Sequence, residues 1–227
     1  MLGISDCRLP DGDFRDVLFV AYLPAAVWAS DRDDDKEIMD TPDRGIHNEL
    51  LESAKCIAII PGDVKFAFIF GGNYGRGVAT CRTGPGWSAP MFVAVDGESV
   101  GYQIGGSSTD LVMLFMNDRA LQSLLNDKFK LGADASVAAG PVGRHAAADT
   151  DLKLHAEILS YSRRGGAFAG VSLDGAVVQA DKSGDQAMYG AQVNRNEILK
   201  GQVSVPESAS PLLREIDEHA KAAKDRF

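Results

Sequence analysis

Apolar residues in the middle of the chain come in short bursts rather than long stripes. Residues 56–60 (CIAII), 66–72 (FAFIFGG), 77–82 (GVATCR), 91–95 (MFVAV) and 100–106 (VGYQIGG) are brief apolar or alternating runs separated by Gly, Asn, Asp and Pro. That pattern predicts antiparallel strands joined by tight turns. Leu111–Met116 is apolar throughout, as in a strand covered on both faces. A second β region follows in LGADASVAAG (131–140), HAEILSYS (155–162) and FAGVSLDGAVVQA (168–180). Helical spacing occurs in four places. Ile46, Leu50, Leu51 and Ala54 follow a Thr41-Pro42-Asp43 start, and Asn117-Asp118 opens a stretch from Arg119 to Phe129 with Leu121, Leu124 and Leu125 inward. Asn196–Leu199 and Pro211–Ala223 are the others, the last with Leu212, Leu213 and Ile216 on its apolar side.

Strands crowd the centre and helices the periphery, with no regular alternation between them. The predicted class is therefore α+β: a curled, largely antiparallel, barrel-like sheet with peripheral helices, not a doubly wound fold. Residues 1–40 read as a leader and acidic linker, 41–203 as the folded domain, and 204–227 as a C-terminal peripheral helix. Ala, Gly and Ser occupy many positions of the second β region. One face there either approaches another backbone closely or lines a narrow cavity.

Val17–Ala29 is an apolar run too short to span a bilayer, and it ends in Val27-Trp28-Ala29, which resembles a small-residue cleavage site. Ahead of it Asp6, Asp11, Asp13 and Asp16 outnumber Arg8 and Arg15, whereas an export signal opens with net positive charge. The segment reads as a degenerate signal. A functional leader makes the protein periplasmic or secreted; otherwise it is cytoplasmic.

The net charge of -9 is unevenly spread: residues 1–40 carry 10 Asp/Glu against 4 Lys/Arg, while residues 41–203 carry 17 against 15. A nearly neutral middle argues against a broad nucleic-acid footprint. Cys7, Cys56 and Cys81 form no Cys-x-x-Cys and have no suitably spaced histidine, so no structural zinc, and no cofactor, is expected. Cys56 and Cys81 admit two readings, a disulfide in an exported chain or two small buried thiols.

Candidate chemistry centres on cations beside glycines. Gly71–Gly77 (GGNYGRG) reads first as a hairpin turn; its backbone N–H groups, with Arg76, also suit a phosphate. Gly140-Pro141-Val142-Gly143-Arg144 is a second turn with a guanidinium nearby, and Arg163-Arg164 before Gly165-Gly166 is the one adjacent arginine pair. Two guanidiniums suit a phosphorylated headgroup, or a solvated turn. Lys65 precedes an apolar strand, as an edge-guarding lysine or a further cation of the same site. Trp87 suits a membrane interface or, more commonly, packing beneath a loop. No Gly-x-Ser-x-Gly or His-Glu-x-x-His is present. A hydrolase would rest on Asp110 with His145 or His155, and Asp110 reads more simply as a turn capper.

Five segments together resemble the SYLF domain: Ile59–Arg82, Gly86–Pro90, Gly101–Asn117, Leu131–Arg144 and Ser160–Val178. The resemblance extends from about Ile46 to Gly190. It implies a membrane-linked, non-enzymatic binding role, since eukaryotic members are associated with phosphoinositides and actin and bacterial members are mostly exported. The amphipathic helix tied to lipid binding in those relatives is reduced here to little more than Lys36–Met39. Actin bundling is not expected of this chain. The expected partner is an anionic lipid or membrane surface, met by an apolar groove rimmed by Lys65, Arg76, Arg144, Arg163 and Arg164. A structural or protein-binding envelope role is the alternative.

Overall fold

The computed structural model describes residues 46, 48–61, 73–84, 86–97, 110–142, 156–164 and 167–221. Among them, ten strands form one sheet: β1 (Cys56–Ile60), β2 (Asn73–Thr83), β3 (Gly86–Trp87), β4 (Met91–Gly97), β5 (Asp110–Phe115), β6 (Lys128–Lys130), β7 (Val137–Ala139), β8 (Ile158–Arg164), β9 (Ala167–Gly170) and β10 (Val177–Ala180). Their spatial order is β6-β10-β4-β2-β1-β5-β8-β7, with β3 on β2 and β9 on β8. Every pairing is antiparallel except β7 with β8. The expected α+β class, with a curled and largely antiparallel sheet, is what is found.

One ring contact shows how far the sheet curls. Phe115 on β5 and Phe129 on β6 belong to strands five places apart in the order, about 24 Å in a flat sheet. Their ring centroids lie 6.4 Å apart, edge to face. The face bearing both rings is therefore the inside of the curl. The two ends of the sheet are also tied by chain: Leu131–Ser136 runs from β6 to β7 and folds back on itself through the Leu131–Ala135 bridge.

Alternation along the central strands sorts side chains to two buried faces. Cys56, Ala58 and Ile60 of β1 join Ala79, Met91, Val93, Met113, Phe115, Phe129, Ile158 and Val178 inside. Ile57 and Ile59 join Val78, Phe92, Val112, Leu114, Leu159 and Tyr161 on the outer face. Helices cover that outer face. α1 (Asn48–Ser53) and the C-terminal helix, named α5 below (Ser210–Lys221), pack on each other and supply Leu51, Leu212 and Ile216. Between β5 and β6 lies α2 (Asp118–Leu125), and α3 (Lys182–Tyr189) and α4 (Arg195–Leu199) follow β10. Two covered faces explain why CIAII and LVMLF read as continuous apolar runs.

Three expectations need correction, and one helix has no counterpart among them. The Arg119–Phe129 helix ends at Leu125; Lys128, Phe129 and Lys130 alternate exposed, buried, exposed as β6. Asn117 starts α2 by accepting the Ala120 N–H at 2.8 Å, while Asn126-Asp127 breaks a periodicity that leucine spacing alone extends too far. Asn73–Gly77 is not a turn but the first half of β2, paired with β4. The first helix covers only Asn48–Ser53, and Ile46 instead bridges Val142. Finally, α3 was not foreseen, because its buried face is made by Gly184 and Asp185, which hydrophobic periodicity does not register. Gly190 closes α3 at φ 92°, a conformation few side chains accept. The FAFIF and VGYQI runs and the leader lie outside the described residues.

The small residues serve close approach among the described strands. A Cβ on Gly140 would sit 2.0 Å from the Tyr161 ring, and one on Gly170 would sit 2.3 Å from the Gly140 carbonyl oxygen. Inside the curl, Ala58 and Ala79 are filled against by Met91, Met113 and Phe115. The expected small-residue groove is therefore not found there among the described residues: that volume is packed core.

Candidate functional site

On the outer face, Val78, Ile59, Val112 and Tyr161 form one cross-strand row through β2, β1, β5 and β8. Two residues further along on the same face stand Arg76 in β2, Asp110 in β5 and, opposite Asp110, Arg163 in β8. Arg76 and Arg163 thus share one row at one end of the sheet, three strand spacings or about 14 Å apart. β1 and β4 end, and β2 and β5 begin, at this same end.

Both guanidiniums are engaged by an aspartate, Arg163 buried and Arg76 partly exposed. Arg76 Nε donates to Asp181 Oδ2 at 2.7 Å. Asp181 caps the N-terminus of α3, where its Oδ1 accepts the Gly184 N–H at 3.0 Å and the Ser183 hydroxyl at 2.6 Å. Burial pushes the Asp181 carboxyl up, but the bonds from Ser183, Gly184 and Arg76 outweigh it and hold the group below the usual carboxylate range. Arg76 therefore pins α3 across β4. Arg163 is buried and lies 3.5 Å from Asp110, itself largely covered. Each arginine of the row is charge-matched by an aspartate. Arg164 is the last residue of β8, opposite Ala167. Lys65, Arg144, His145 and His155 lie outside the described residues. Asp110, read from sequence as a turn capper, is a strand residue paired with Arg163.

A second polar cluster was not singled out from sequence. Asp185 Oδ1 accepts the Phe92 N–H at 2.7 Å, and Oδ2 lies 3.6 Å from Arg195 Nε. Burial pushes the Asp185 carboxyl up to about 6, against the pull of the Phe92 N–H and the Arg195 guanidinium. Burial also lowers Arg195, which Asp185 opposes. Both Nη atoms of Arg195 and Oδ2 of Asp185 are buried without a hydrogen bond. Tyr189, one turn after Asp185, donates its hydroxyl to the Pro90 carbonyl. Beyond it a shallow cleft of about 520 Å³ is lined by Met188, Tyr189, Val193, Val203 and Pro206. The i, i+4 pair Asp181 and Asp185 was the available signal, visible only once residues 182–189 are known to be helical.

Trp87 packs inward, only 7% exposed, under the Arg82 guanidinium at 4.4 Å. Arg82 Nη2 donates to the Leu51 carbonyl at 3.1 Å, so it caps the end of α1 while stacking on the indole. Cys56 and Cys81, paired in register across β1 and β2, are joined by a disulfide.

These features define a half-barrel α+β domain in which Arg76 and Arg82 tie helices to the sheet and Asp110 with Arg163 joins two of its strands. The sequence profile of the Ysc84 family, described as "Las17-binding protein actin regulator", matches residues 96–219. The chain is 37% identical over 169 residues to an SH3 domain-containing protein of Schizosaccharomyces pombe, covering 73% of this chain and 39% of that one. It is 36% identical over 182 residues to Protein YSC84 of Saccharomyces cerevisiae, covering 78% and 39%. To the human SH3 domain-containing YSC84-like protein 1 it is 31% identical over 178 residues, covering 78% and 52%. The chain belongs to the Ysc84 (SYLF) family, and it spans between 39% and 52% of the length of these relatives. The family's description is that of a binding and regulatory protein, and none of these relatives carries the name of an enzyme.

Proposed function

We propose that this chain is a non-catalytic binding module that docks through the loop end of its sheet onto an anionic lipid headgroup. One observation carries the reading: Arg76 and Arg163 stand in a single row of one face, at the end where β8 closes with Arg164. Asp181 and Asp110 hold those two guanidiniums in place, and Lys65, Arg144 and Arg164, which the sequence sets beside glycine-rich segments, are the further cations assigned to the phosphate. Binding of this kind weakens steeply with salt.

The test is sedimentation with vesicles of neutral phosphatidylcholine, with and without an anionic phospholipid. The expected outcome is binding only to anionic vesicles, reduced at least about tenfold by Lys65→Glu with Arg164→Glu, since two reversed charges at an anionic surface are each worth about 1 kcal/mol or more. Equal indifference to both vesicles overturns the reading.

A second reading is favoured by the family's description as a Las17-binding protein and actin regulator. On it, the same surface receives a protein of the actin-assembly machinery. Co-sedimentation with filamentous actin, in the absence of lipid, separates the two.

A further inference from the structure

We propose that Cys56 and Cys81 form an oxidative-folding site that accepts a disulfide only while the sheet is open and is then sealed by it. The pair occupies directly opposite positions in two inner strands: β1 lies between β2 and β5, and β2 between β1 and β4. Both side chains are 0% exposed and belong to the interior cluster with Met113 and Phe115. Backbone bonds close this end of the strands, with the Lys55 N–H donating to the Phe115 carbonyl at 2.8 Å and the Arg82 N–H to the Lys55 carbonyl at 2.7 Å. Thiol exchange needs a thiolate to reach a sulfur, with room for a third sulfur alongside. No such room exists around a pair packed on every side.

The chemistry balances with a small-molecule or protein disulfide as oxidant. One cysteine thiolate attacks the donor disulfide, forming a mixed disulfide and releasing one donor thiolate. The second cysteine thiolate then attacks the protein sulfur of that mixed disulfide and releases the other. Two cysteine thiols are oxidised, the donor is reduced to two thiols, and the two protons pass to the donor. The inference is independent of the ligand reading above.

The test uses the full chain with Cys7→Ser, so that only the pair titrates. The protein is unfolded and reduced, then refolded with oxidised glutathione as donor. In parallel, protein refolded without donor receives the same glutathione after folding. Thiols are counted by alkylation and intact mass in denaturant. The expected result is loss of both thiols when the donor is present during refolding. Bond formation on the folded, reduced protein should be at least about a hundredfold slower, because it must await opening of central strands. Two thiols surviving the first arm, or equal rates in the two arms, overturns the proposal.

Discussion

Asp185 and Arg163 are both buried charges, and they answer differently to the same question of what holds them. Asp185 binds its proton more tightly in the fold, at about 6 against the ordinary 3.8, so its contribution to stability is present below pH 3.8 and is lost as pH rises through 6. The span corresponds to roughly 3 kcal/mol. Asp185→Asn should therefore flatten the stability profile between pH 4 and 6 in urea titrations, while at pH 7 it takes from Arg195 the carboxylate 3.6 Å away. The amide oxygen still accepts the Phe92 N–H. Asp185→Ala, which orphans that N–H, should instead cost about 1–3 kcal/mol. Asp181, held below its usual range, acts in the opposite sense: its contribution is present above the unfolded carboxylate value and falls away on acidification through the folded one. For Arg163, Asp110→Ala takes away the carboxylate 3.5 Å from a buried guanidinium, a loss of up to about 3–5 kcal/mol. Asp110→Leu with Arg163→Met should recover most of it in a double-mutant cycle. Sequence reading found Arg76, Arg163 and Asp110 but neither the pairing of the last two nor Asp181, because a guanidinium beside glycine looks the same whether it faces solvent or an aspartate 105 positions away.

At the scale of elements, what could be read from sequence followed the source of each element's stability. β1, β4 and β5 announce themselves because burial on both faces demands unbroken apolar runs. α2 and α5 appear through leucine spacing. α3 is silent in that language, since it is held by a cap, an ion pair and the fit of Gly184 against Phe92. GGNYGRG looks like a turn because Gly and Asn dominate it, yet from Asn73 it is a strand, with Gly77 passing close against Ile59 and Ile60 of β1. Gly140 is the sharpest case of such contact. Gly140→Ala should lower stability by about 1–3 kcal/mol in thermal or urea melts, because its methyl meets the Tyr161 ring. Tyr161→Leu in the same chain should make the two losses less than additive.

Among the described residues the molecule is a curled sheet whose outer face carries α1 and α5 and whose interior core takes in Ala120 and Leu124 of α2 and Ile198 and Leu199 of α4. Its slowest-exchanging amides should be those of β1, β2 and β5, the inner strands of the order. The Cys56–Cys81 bond spans 25 residues, and closing a loop of that size contributes about 3 kcal/mol through the unfolded chain. The reduced protein should accordingly melt at a lower denaturant concentration and with a steeper slope, because the chain freed of its cross-link exposes more surface on unfolding. Curling was legible as a class; its extent was not, because which edge meets which depends on pairings far apart in sequence. α1 and α5 lean on each other across the outer face, so the first helix described is finished by the last. On a ribosome, the early strands emerge with only α1 on that flank among the described residues, and the cover is completed when α5 clears the exit tunnel. Stalled or shortened chains should therefore present Ile57, Ile59 and Leu51 to chaperones, and premature termination near Pro206 should yield sticky, rapidly cleared protein.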